Sequence, residues 1–227
     1  MTEQRTHAVL FDLDGTLADT APDLGGALNR LRVECGLPPL PAEVLRPHTS
    51  AGARGLIGAG FGVTPDDERY SALATRFLTL YESALCVDTI LFDGMHEVLT
   101  QLEDAGVPWG VVTNKAARFT LPLMRELGLN ERAASIISGD SVAVAKPDPA
   151  GLRLAASQMG VDPLRCLYVG DDERDIKAAR AAGMRSVAAA FGYLGNARHY
   201  LDWGADHVID HPTGLLALLK LPAGGTI

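Results

Sequence analysis

The chain has 227 residues, of which 47% are hydrophobic and 21% are charged, and these proportions favour a globular protein over a disordered chain or a coiled coil. Its formal net charge of −8, with Lys and Arg scattered along the chain, argues against a nucleic acid partner, because such a surface repels phosphate backbones. The three cysteines are far apart in the sequence and no signal-peptide pattern is present, which predicts a protein of the reducing cytoplasm. No apolar run approaches the about 20 residues of a membrane helix, so no membrane span is expected.

In chain order, short β-like segments alternate with amphipathic helical segments, which predicts an α/β fold with a doubly wound, parallel, Rossmann-like sheet. Four of the helical segments end at Gly106, Gly128, Gly160 and Gly183, since glycine is favoured just past a helix C-terminus. The six predicted strands comprise residues 7–11, 108–112, 135–137, 166–169, 186–188 and 207–209.

The interval between the first two strands carries several helical patterns but no convincing strand. An all-helical block between two strands of an α/β core predicts an inserted domain. We therefore expect residues 1–18 and 91–227 to form the core, and residues 19–90 to form a helical cap.

The strongest chemical signal is the segment Phe-Asp-Leu-Asp-Gly-Thr-Leu, which follows the first apolar strand. Alternate side chains of an extended chain share a face, so Asp12 and Asp14 can point into one pocket. Two carboxylates at a strand end can divide the roles of nucleophile and general acid/base. Gly15 allows a sharp turn of the backbone there. An Asx turn that ends a strand would explain a lone Asp-x-Asp, but it does not explain the whole motif.

Two further polar groups follow the next two core strands. Thr113 and Asn114 end the second strand, where such a pair by itself usually caps a helix. Lys146 precedes Pro147, which disfavours helical geometry at Lys146 and so predicts that its amine projects from an extended segment.

Asp171 and Asp175 follow the fourth strand, and helix capping would explain either acid singly. Ligands bind at the carboxyl end of the central strand of a doubly wound sheet, so we expect the four motifs to converge there. If Asp12, Asp14, Asp171 and Asp175 converge, they repel one another strongly and Lys146 alone cannot balance them. Hard carboxylate oxygens at close quarters favour a hard divalent ion, and Mg²⁺ suits them best.

In this order, the four motifs resemble those of the haloacid dehalogenase-like superfamily of phosphohydrolases. The resemblance covers essentially the whole chain, and it is nearest to phosphoglycolate phosphatase-type members with a small helical cap. It implies that Asp12 is the nucleophile that forms an aspartyl-phosphate and that Asp14 is the general acid/base. It also implies that Thr113 binds phosphoryl oxygens and that Lys146 offsets charge on the nucleophile and the phosphoryl group.

The same resemblance implies a Mg²⁺ ion. Its ligands would be the Asp12 carboxylate, the main-chain carbonyl of Asp14 and Asp171, with Asp175 in support. Asn114 is expected among the substrate-binding residues.

Several stretches are further similar to the bacterial N-acetylmuramic acid 6-phosphate phosphatases, at residues 50–54, 91–95, 109–115 and 202–206. The expected substrate is therefore a small organic phosphate ester of the phosphoglycolate or N-acetylmuramic acid 6-phosphate type. Both compounds carry a carboxylate besides the phosphate, so a cation is expected in the cap. Arg54 is the candidate, because a guanidinium can hold a carboxylate in two parallel hydrogen bonds.

Two alternatives stay open. A sugar phosphomutase of the same fold would keep every motif, and only the cap contacts and the lifetime of the intermediate would separate it from a phosphatase. A non-catalytic phosphate-binding module is disfavoured, because no catalytic position is missing. Tyr193 is expected to pack rather than to take part in chemistry, and the sequence does not indicate the oligomeric state.

Overall fold

The computed structural model of the chain describes residues 6–195 and 199–219, and it contains a parallel sheet flanked by helices. The core strands form where apolar residues run consecutively, because both faces of a parallel sheet are covered and its strands are buried throughout. The strands are β1 (Ala8–Phe11), β2 (Ala18–Asp19), β3 (Ile90–Leu91), β4 (Trp109–Val112), β5 (Ser135–Ile137), β6 (Cys166–Gly170), β7 (Arg185–Ala189) and β8 (His207–Ile209).

Six of these strands form one parallel sheet in the order β5–β4–β1–β6–β7–β8, so the first strand is central. β1 pairs with β4 on one side and with β6 on the other, which places Phe11 opposite both Val111 and Val169. In this doubly wound order, the winding reverses beside β1. The predicted fold class and the six predicted core strands are confirmed, with ends that differ by no more than one residue.

Helices accompany the sheet along the whole described chain. Four of them end shortly before one of the predicted glycines, and all four glycines have a positive φ, from 65° at Gly106 to 83° at Gly183. No helix within residues 6–195 and 199–219 combines the length and apolar character needed to cross a membrane. The helices are α1 (Ala21–Glu34), α2 (Ala42–Leu45), α3 (Gly52–Phe61), α4 (Tyr70–Glu82), α5 (Met95–Asp104), α6 (Ala117–Glu126), α7 (Ala150–Gln158), α8 (Glu173–Ala182) and α9 (Gly214–Leu219).

Alternate side chains of β1 contribute to two separate apolar layers. Val9 and Phe11 belong to the layer that contains α5, α6 and α9, whereas Ala8 and Leu10 belong to the layer that contains α7 and α8. All four side chains are completely buried. Full burial of a large apolar side chain is worth about 1.5–3 kcal/mol, so these layers hold the carboxyl end of β1 in a fixed place.

Helices α1 to α4 form the predicted helical insertion, and they share an apolar cluster in which Leu28, Ile57 and Phe77 are fully buried. The chain leaves and re-enters the core through β2 and β3, an antiparallel pair of two residues each that the sequence did not predict. Two residues are too few for a periodic pattern. The predicted boundaries at 18/19 and 90/91 fall inside this pair, and the division into two domains stays a prediction.

A buried carboxylate ties the returning chain to the start of the insertion. Asp23, in the first turn of α1, is 6% exposed. Its Oδ2 accepts the N–H groups of Val87 (3.0 Å) and Thr89 (2.9 Å) and the Thr89 hydroxyl (2.6 Å), while its Oδ1 accepts the N–H of Asp88 (3.1 Å). Hydrogen bonds to a charged acceptor are the stronger kind, so this carboxylate fixes the segment that leads back into β3.

We expect Asp23→Ala to lower the free energy of unfolding by about 2–4 kcal/mol, because three main-chain N–H groups and the buried Thr89 hydroxyl lose a charged acceptor. Urea denaturation measures the change. Asp88→Ala is the matched control: the Asp88 side chain is exposed and only its main chain takes part in the contact, so a change within about 0.5 kcal/mol is expected. Equal losses in both variants would contradict the role of Asp23.

Candidate active site

The candidate site is built at the carboxyl end of the central strand. Asp12 follows β1 directly and donates its N–H to the carbonyl of Val169 (2.9 Å) on β6. Thr113 and Asp171 are the first residues after β4 and β6, so the three polar side chains follow three adjacent strands. Gly15 then turns the chain with a φ of +81°, and a Cβ at this position would overlap the Asp171 carboxylate. Both the backbone angle and the close approach therefore require glycine.

Lys146 is the cation at the centre of the site. Its Nζ lies 2.8 Å from Asp12 Oδ1 and 2.8 Å from Asp175 Oδ1, and it donates to the carbonyl of Val112 (3.0 Å) and the hydroxyl of Tyr168 (2.7 Å). Burial by itself would lower the pKa of this amine, but the charges of the two carboxylates outweigh burial and raise the pKa. Lys146 is therefore a fixed positive charge beside Asp12.

Carboxylates crowd around this cation. One oxygen each of Asp12, Asp171 and Asp175 lies within 4.8 Å of the others. Asp171 is completely buried, and its pKa is raised well above the ordinary value by burial and by the charges of Asp12 and Asp175. Burial also raises the pKa of Asp175, although the ion pair with Lys146 opposes the shift. The site thus holds more negative charge than Lys146 compensates.

This set of donors fits a hard divalent cation. All three clustered groups are carboxylates, and neither histidine nor cysteine joins them among the described residues, so the set suits an oxygen-binding ion rather than zinc. Asp175 has a second role in the capping box of α8, where it accepts the N–H of Asp172 (3.0 Å). Capping and the ion pair with Lys146 therefore account for Asp175, whereas neither accounts for the fully buried Asp171.

Asp14 lies beside the cluster, and its side chain is not one of the three grouped carboxylates. Asp14 Oδ1 accepts hydrogen bonds from Lys115 Nζ (2.7 Å) and from the Thr20 hydroxyl (2.5 Å). Burial alone would lower the pKa of Lys115, but the interactions with Asp14 and Tyr81 outweigh burial and raise it. Sequence reasoning missed Lys115, although its place directly after Thr113 and Asn114 was the available signal.

Asn114 positions Lys146 and also lines the cavity. Its Nδ2 donates to the Lys146 carbonyl (2.9 Å), and its Oδ1 accepts the Lys146 N–H (2.9 Å). The side chain of Asn114 therefore clamps the main chain of Lys146, and its predicted contact with a substrate stays a prediction. Thr113 is 3% exposed and lines the same cavity as Asp12, and its hydroxyl accepts the N–H of Lys115 (3.2 Å). The hydroxyl proton of Thr113 is thus directed away from Lys115.

A cavity of about 320 Å³ separates these residues from the helical insertion. Asp12, Thr113 and Lys146 lie on its core side, whereas Leu24 and Phe77 belong to its apolar side in the insertion. The volume lies at the lower end of the range for small-molecule sites, about 300–1,000 Å³. The enclosure suits a ligand of the size of a single sugar or smaller.

The insertion contacts the carboxylate cluster directly. Ser50 donates its hydroxyl to Asp171 Oδ2 (3.2 Å), and its carbonyl accepts a hydrogen bond from Arg174 on α8 (2.8 Å). Arg46, in the 3₁₀ turn Arg46–Ala51, forms an ion pair of 2.8 Å with Asp19 on β2. Sequence reasoning missed Ser50 and Arg174, because a contact between residues 124 positions apart leaves no local pattern.

Tyr193 joins the cluster to the strand that enters the insertion. Its N–H donates to Asp171 Oδ2 (2.8 Å), and its hydroxyl accepts the N–H groups of Thr20 (2.7 Å) and Ala21 (2.9 Å) and lies 3.0 Å from Asp19 Oδ1. The side chain is buried, as a packing residue would be. Its polar contacts give it a structural role where the chain enters the insertion. The sequence did not indicate this role.

Arg54 is not brought to the cavity. Ala51, Gly52 and Ala53 line the cavity. Arg54 is exposed on α3 and is not among the described residues that line it. Successive side chains of a helix point about 100° apart, which turns Arg54 to another face. Two arginines of the core line the cavity instead, Arg118 near the start of α6 and Arg174 on α8.

Residues 6–183 match the family of haloacid dehalogenase-like hydrolases, a span that contains all four motifs and the insertion. The chain belongs to this family. The resemblance inferred from the motifs is therefore confirmed.

Relatives match nearly the full length of the chain. It is 43% identical over 219 residues to the N-acetylmuramic acid 6-phosphate phosphatase of Pseudomonas aeruginosa, which covers 96% of this chain and 97% of that protein. It is 45% identical over 209 residues to the phosphoglycolate phosphatase of Xanthomonas campestris pv. campestris, with coverage of 92% and 94%. The crystal structure of a "predicted phosphoglycolate phosphatase" from Haemophilus somnus 129PT has a TM-score of 0.83 at 25% identity and covers 95% of this chain and 98% of that one. The protein is a phosphatase of this family that acts on a small phosphate ester.

The crowded carboxylates predict that a divalent cation stabilises the fold. Millimolar Mg²⁺ should raise the melting temperature above that in EDTA, because a ligand that binds only the folded state stabilises it. Asp171→Asn should lose this shift while its melting temperature in EDTA stays equal or rises, because repulsion between buried carboxylates is relieved. Differential scanning calorimetry measures both values.

The matched control for this experiment is Asp66→Asn, an exposed acid in the insertion, which should keep the full Mg²⁺ shift. An Asp171→Asn protein that also kept the full shift would show that the cation does not bind at this cluster.

Proposed function

We propose that this protein is a Mg²⁺-dependent phosphomonoesterase that passes the phosphoryl group of its substrate to Asp12 and then to water. The observation that supports this most strongly is the setting of the Asp12 carboxylate. It lies on the core side of the cavity, 2.8 Å from the Lys146 amine and beside two further carboxylates. A carboxylate held next to a fixed cation in an enclosed site suits a nucleophile that receives an anionic group.

In the first step, an oxygen of Asp12 bonds to phosphorus while the ester P–O bond breaks, and Asp14 donates a proton to the leaving oxygen. Lys146 stabilises the charge shared by the nucleophile and the phosphoryl group, since its amine is fixed between Asp12 and Asp175. The hydroxyl of Thr113 binds a phosphoryl oxygen at the end of β4.

In the second step, a water molecule bonds to phosphorus, Asp14 takes up its proton, and the bond between phosphorus and the Asp12 oxygen breaks. Inorganic phosphate leaves and the carboxylate is restored. Lys115, at 2.7 Å from Asp14, and Thr20 keep this side chain turned toward the cavity side of the site in both steps. Asp14 therefore serves as acid in one step and as base in the other.

Asp12, Asp171 and the main-chain carbonyl of Asp14 would hold Mg²⁺, with Asp175 in support. When bound, the ion neutralises negative charge on the carboxylates and on the phosphoryl oxygens. The Asp171 carboxylate is itself held in place by two hydrogen bonds. They are donated by the Thr16 hydroxyl (3.2 Å) and by the main-chain N–H of Tyr193, which follows β7.

For the substrate, we propose N-acetylmuramic acid 6-phosphate ahead of phosphoglycolate. The cavity of about 320 Å³ is large for a two-carbon acid, and the side chains of Leu24, Phe77, Leu78, Tyr81 and Phe119 give it an extended apolar and aromatic side that a sugar ring can cover. The relative of Pseudomonas aeruginosa carries this activity in its name at 43% identity. Phosphoglycolate stays the second candidate, because the relative of Xanthomonas campestris is 45% identical.

Hydrolysis is favoured over phosphomutase activity because this assignment agrees with the names of both relatives. Release of inorganic phosphate equal to the substrate consumed separates the two activities, and any catalytic turnover excludes a mere phosphate-binding module. A cytoplasmic location is part of the proposal. It is supported by Cys35, Cys86 and Cys166, which are all free thiols in the structure.

Asp12→Asn should abolish turnover, since an amide is a very poor nucleophile, while the melting temperature stays within a few degrees of the wild type. A malachite-green phosphate assay and calorimetry measure the two quantities. Asp66→Asn is again the control and should keep full activity, because this acid is exposed outside the cavity. Substantial turnover by an Asp12→Asn protein free of wild-type enzyme would contradict the role of Asp12 as nucleophile.

Asp14→Asn should act more strongly on alkyl than on aryl esters. General acid catalysis is worth about 10²–10⁴-fold, and an alkoxide needs that proton far more than p-nitrophenolate does. In single-turnover experiments, we expect phosphorylation by a sugar phosphate to lose most of this factor and phosphorylation by p-nitrophenyl phosphate to lose less. Equal losses for both esters would mean that Asp14 is not the acid.

A further inference from the structure

One cation on the cavity wall has no acidic partner. Lys115, Lys146, Arg118 and Arg174 all line the cavity. Lys146 pairs with Asp12 and Asp175, and the side chains of Lys115 and Arg174 pair with Asp14 and Asp172. Within residues 6–195 and 199–219, Arg118 forms no ion pair, and its one described contact is with the neighbouring Phe119 ring. Its charge is therefore available to an anion that enters the cavity.

The place of Arg118 in its helix does not account for its charge. It is the second residue of α6, where the helix dipole favours acidic and disfavours basic side chains. The acid that serves this helix start is Asp140, whose Oδ1 accepts the N–H of Ala117 (2.8 Å) rather than pairing with the guanidinium. The helix dipole therefore does not stabilise a basic residue at this position. A bound anion would provide the favourable electrostatic interaction instead.

The surroundings of Arg118 suit recognition of an anion. Its guanidinium carbon lies 4.5 Å from the centroid of the Phe119 ring, a cation–π contact that restricts the orientation of the side chain. Phe119 is 4% exposed and packs against Tyr81, with ring centroids 5.5 Å apart, so the ring is itself fixed. Arg118 is an exposed residue, and the aromatic ring on one side of its guanidinium leaves the planar group oriented for pairing with a carboxylate.

We propose that Arg118 binds a second anionic group, a carboxylate on the leaving group, and so selects phosphate monoesters that carry one. This rests on the proposed function of the site and places the recognition of the leaving group on α6 of the core rather than on Arg54 of the insertion. A guanidinium holds a carboxylate in two parallel hydrogen bonds, which lysine cannot reproduce. Arg118 is in this view a specificity-determining residue that does not contact the reacting phosphorus.

The test compares substrates that carry a carboxylate with analogues that lack it; the sugar pair differs by the whole lactyl ether group, and the two-carbon pair differs only in the carboxylate. The pairs are N-acetylmuramic acid 6-phosphate against N-acetylglucosamine 6-phosphate, and phosphoglycolate against 2-hydroxyethyl phosphate. The readout is the ratio of kcat/KM within a pair. Arg118→Gln should lower the ratio of the preferred pair by about 10–100-fold, the scale of a hydrogen bond to a charged group. Arg118→Lys should lie between Arg118→Gln and the wild type.

Arg125→Gln, an exposed arginine on the same helix and outside the cavity, is the matched control and should leave the ratio unchanged. Three results would overturn the inference: a wild-type ratio near one in both pairs, an equal loss for both members of a pair in Arg118→Gln, or a loss of the ratio in Arg54→Gln instead.

A binding measurement separates this inference from the proposed function. Calorimetric titration of the Asp12→Asn protein with both members of each pair needs no turnover. If Arg118→Gln in that background removes the preference for the carboxylated ligand, the inference stands even where the wild type releases no phosphate. If the preference in Kd persists, the inference is wrong even where the phosphatase activity is confirmed.

Discussion

The structure of the site depends on one electrostatic constraint, which is the crowding of the Asp12, Asp171 and Asp175 carboxylates, of which Asp12 and Asp175 pair with the Lys146 amine. Buried charges of like sign raise one another's pKa values and cost stability unless a cation offsets them. Lys146 offsets part of this charge and is itself held by Asn114. The negative charge that Lys146 does not offset favours binding of a divalent cation. A phosphoryl group could then supply a further oxygen ligand to that cation.

The sheet and the insertion both converge on this cluster. Parallel pairing of β1 with β4 and β6 places the residues after each strand at one edge, so the order of strands determines which side chains meet. Gly15 lets the first loop pass close to the Asp171 carboxylate. Ser50 and Tyr193 then bind the same carboxylate from the insertion and from the loop after β7. The buried Asp171 carboxylate is thus hydrogen-bonded both to the insertion and to the loop after β7.

The sequence could predict the parts of this site that strand ends determine. Apolar runs located the core strands to within a residue, and the polar residues directly after them include Asp12 and Asp171. The parts that depend on packing across the chain were not predictable. The clamp of Asn114 on Lys146 joins two loops, and no pattern in either loop reveals it. Arg54 illustrates the same limit, since a helix turns neighbouring residues to different faces and composition alone cannot say which face meets the cavity.

The core and the insertion line different sides of the cavity, and this division bears on the substrate specificity of such a phosphatase. This chain is about equally identical to relatives named for a sugar acid phosphate and for a two-carbon acid phosphate. Overall identity therefore does not separate these two substrates. The insertion supplies the apolar side of the cavity, through side chains such as Leu24 and Phe77. In the proposal made above, recognition of charge on the leaving group is a separate requirement, which Arg118 of the core would meet.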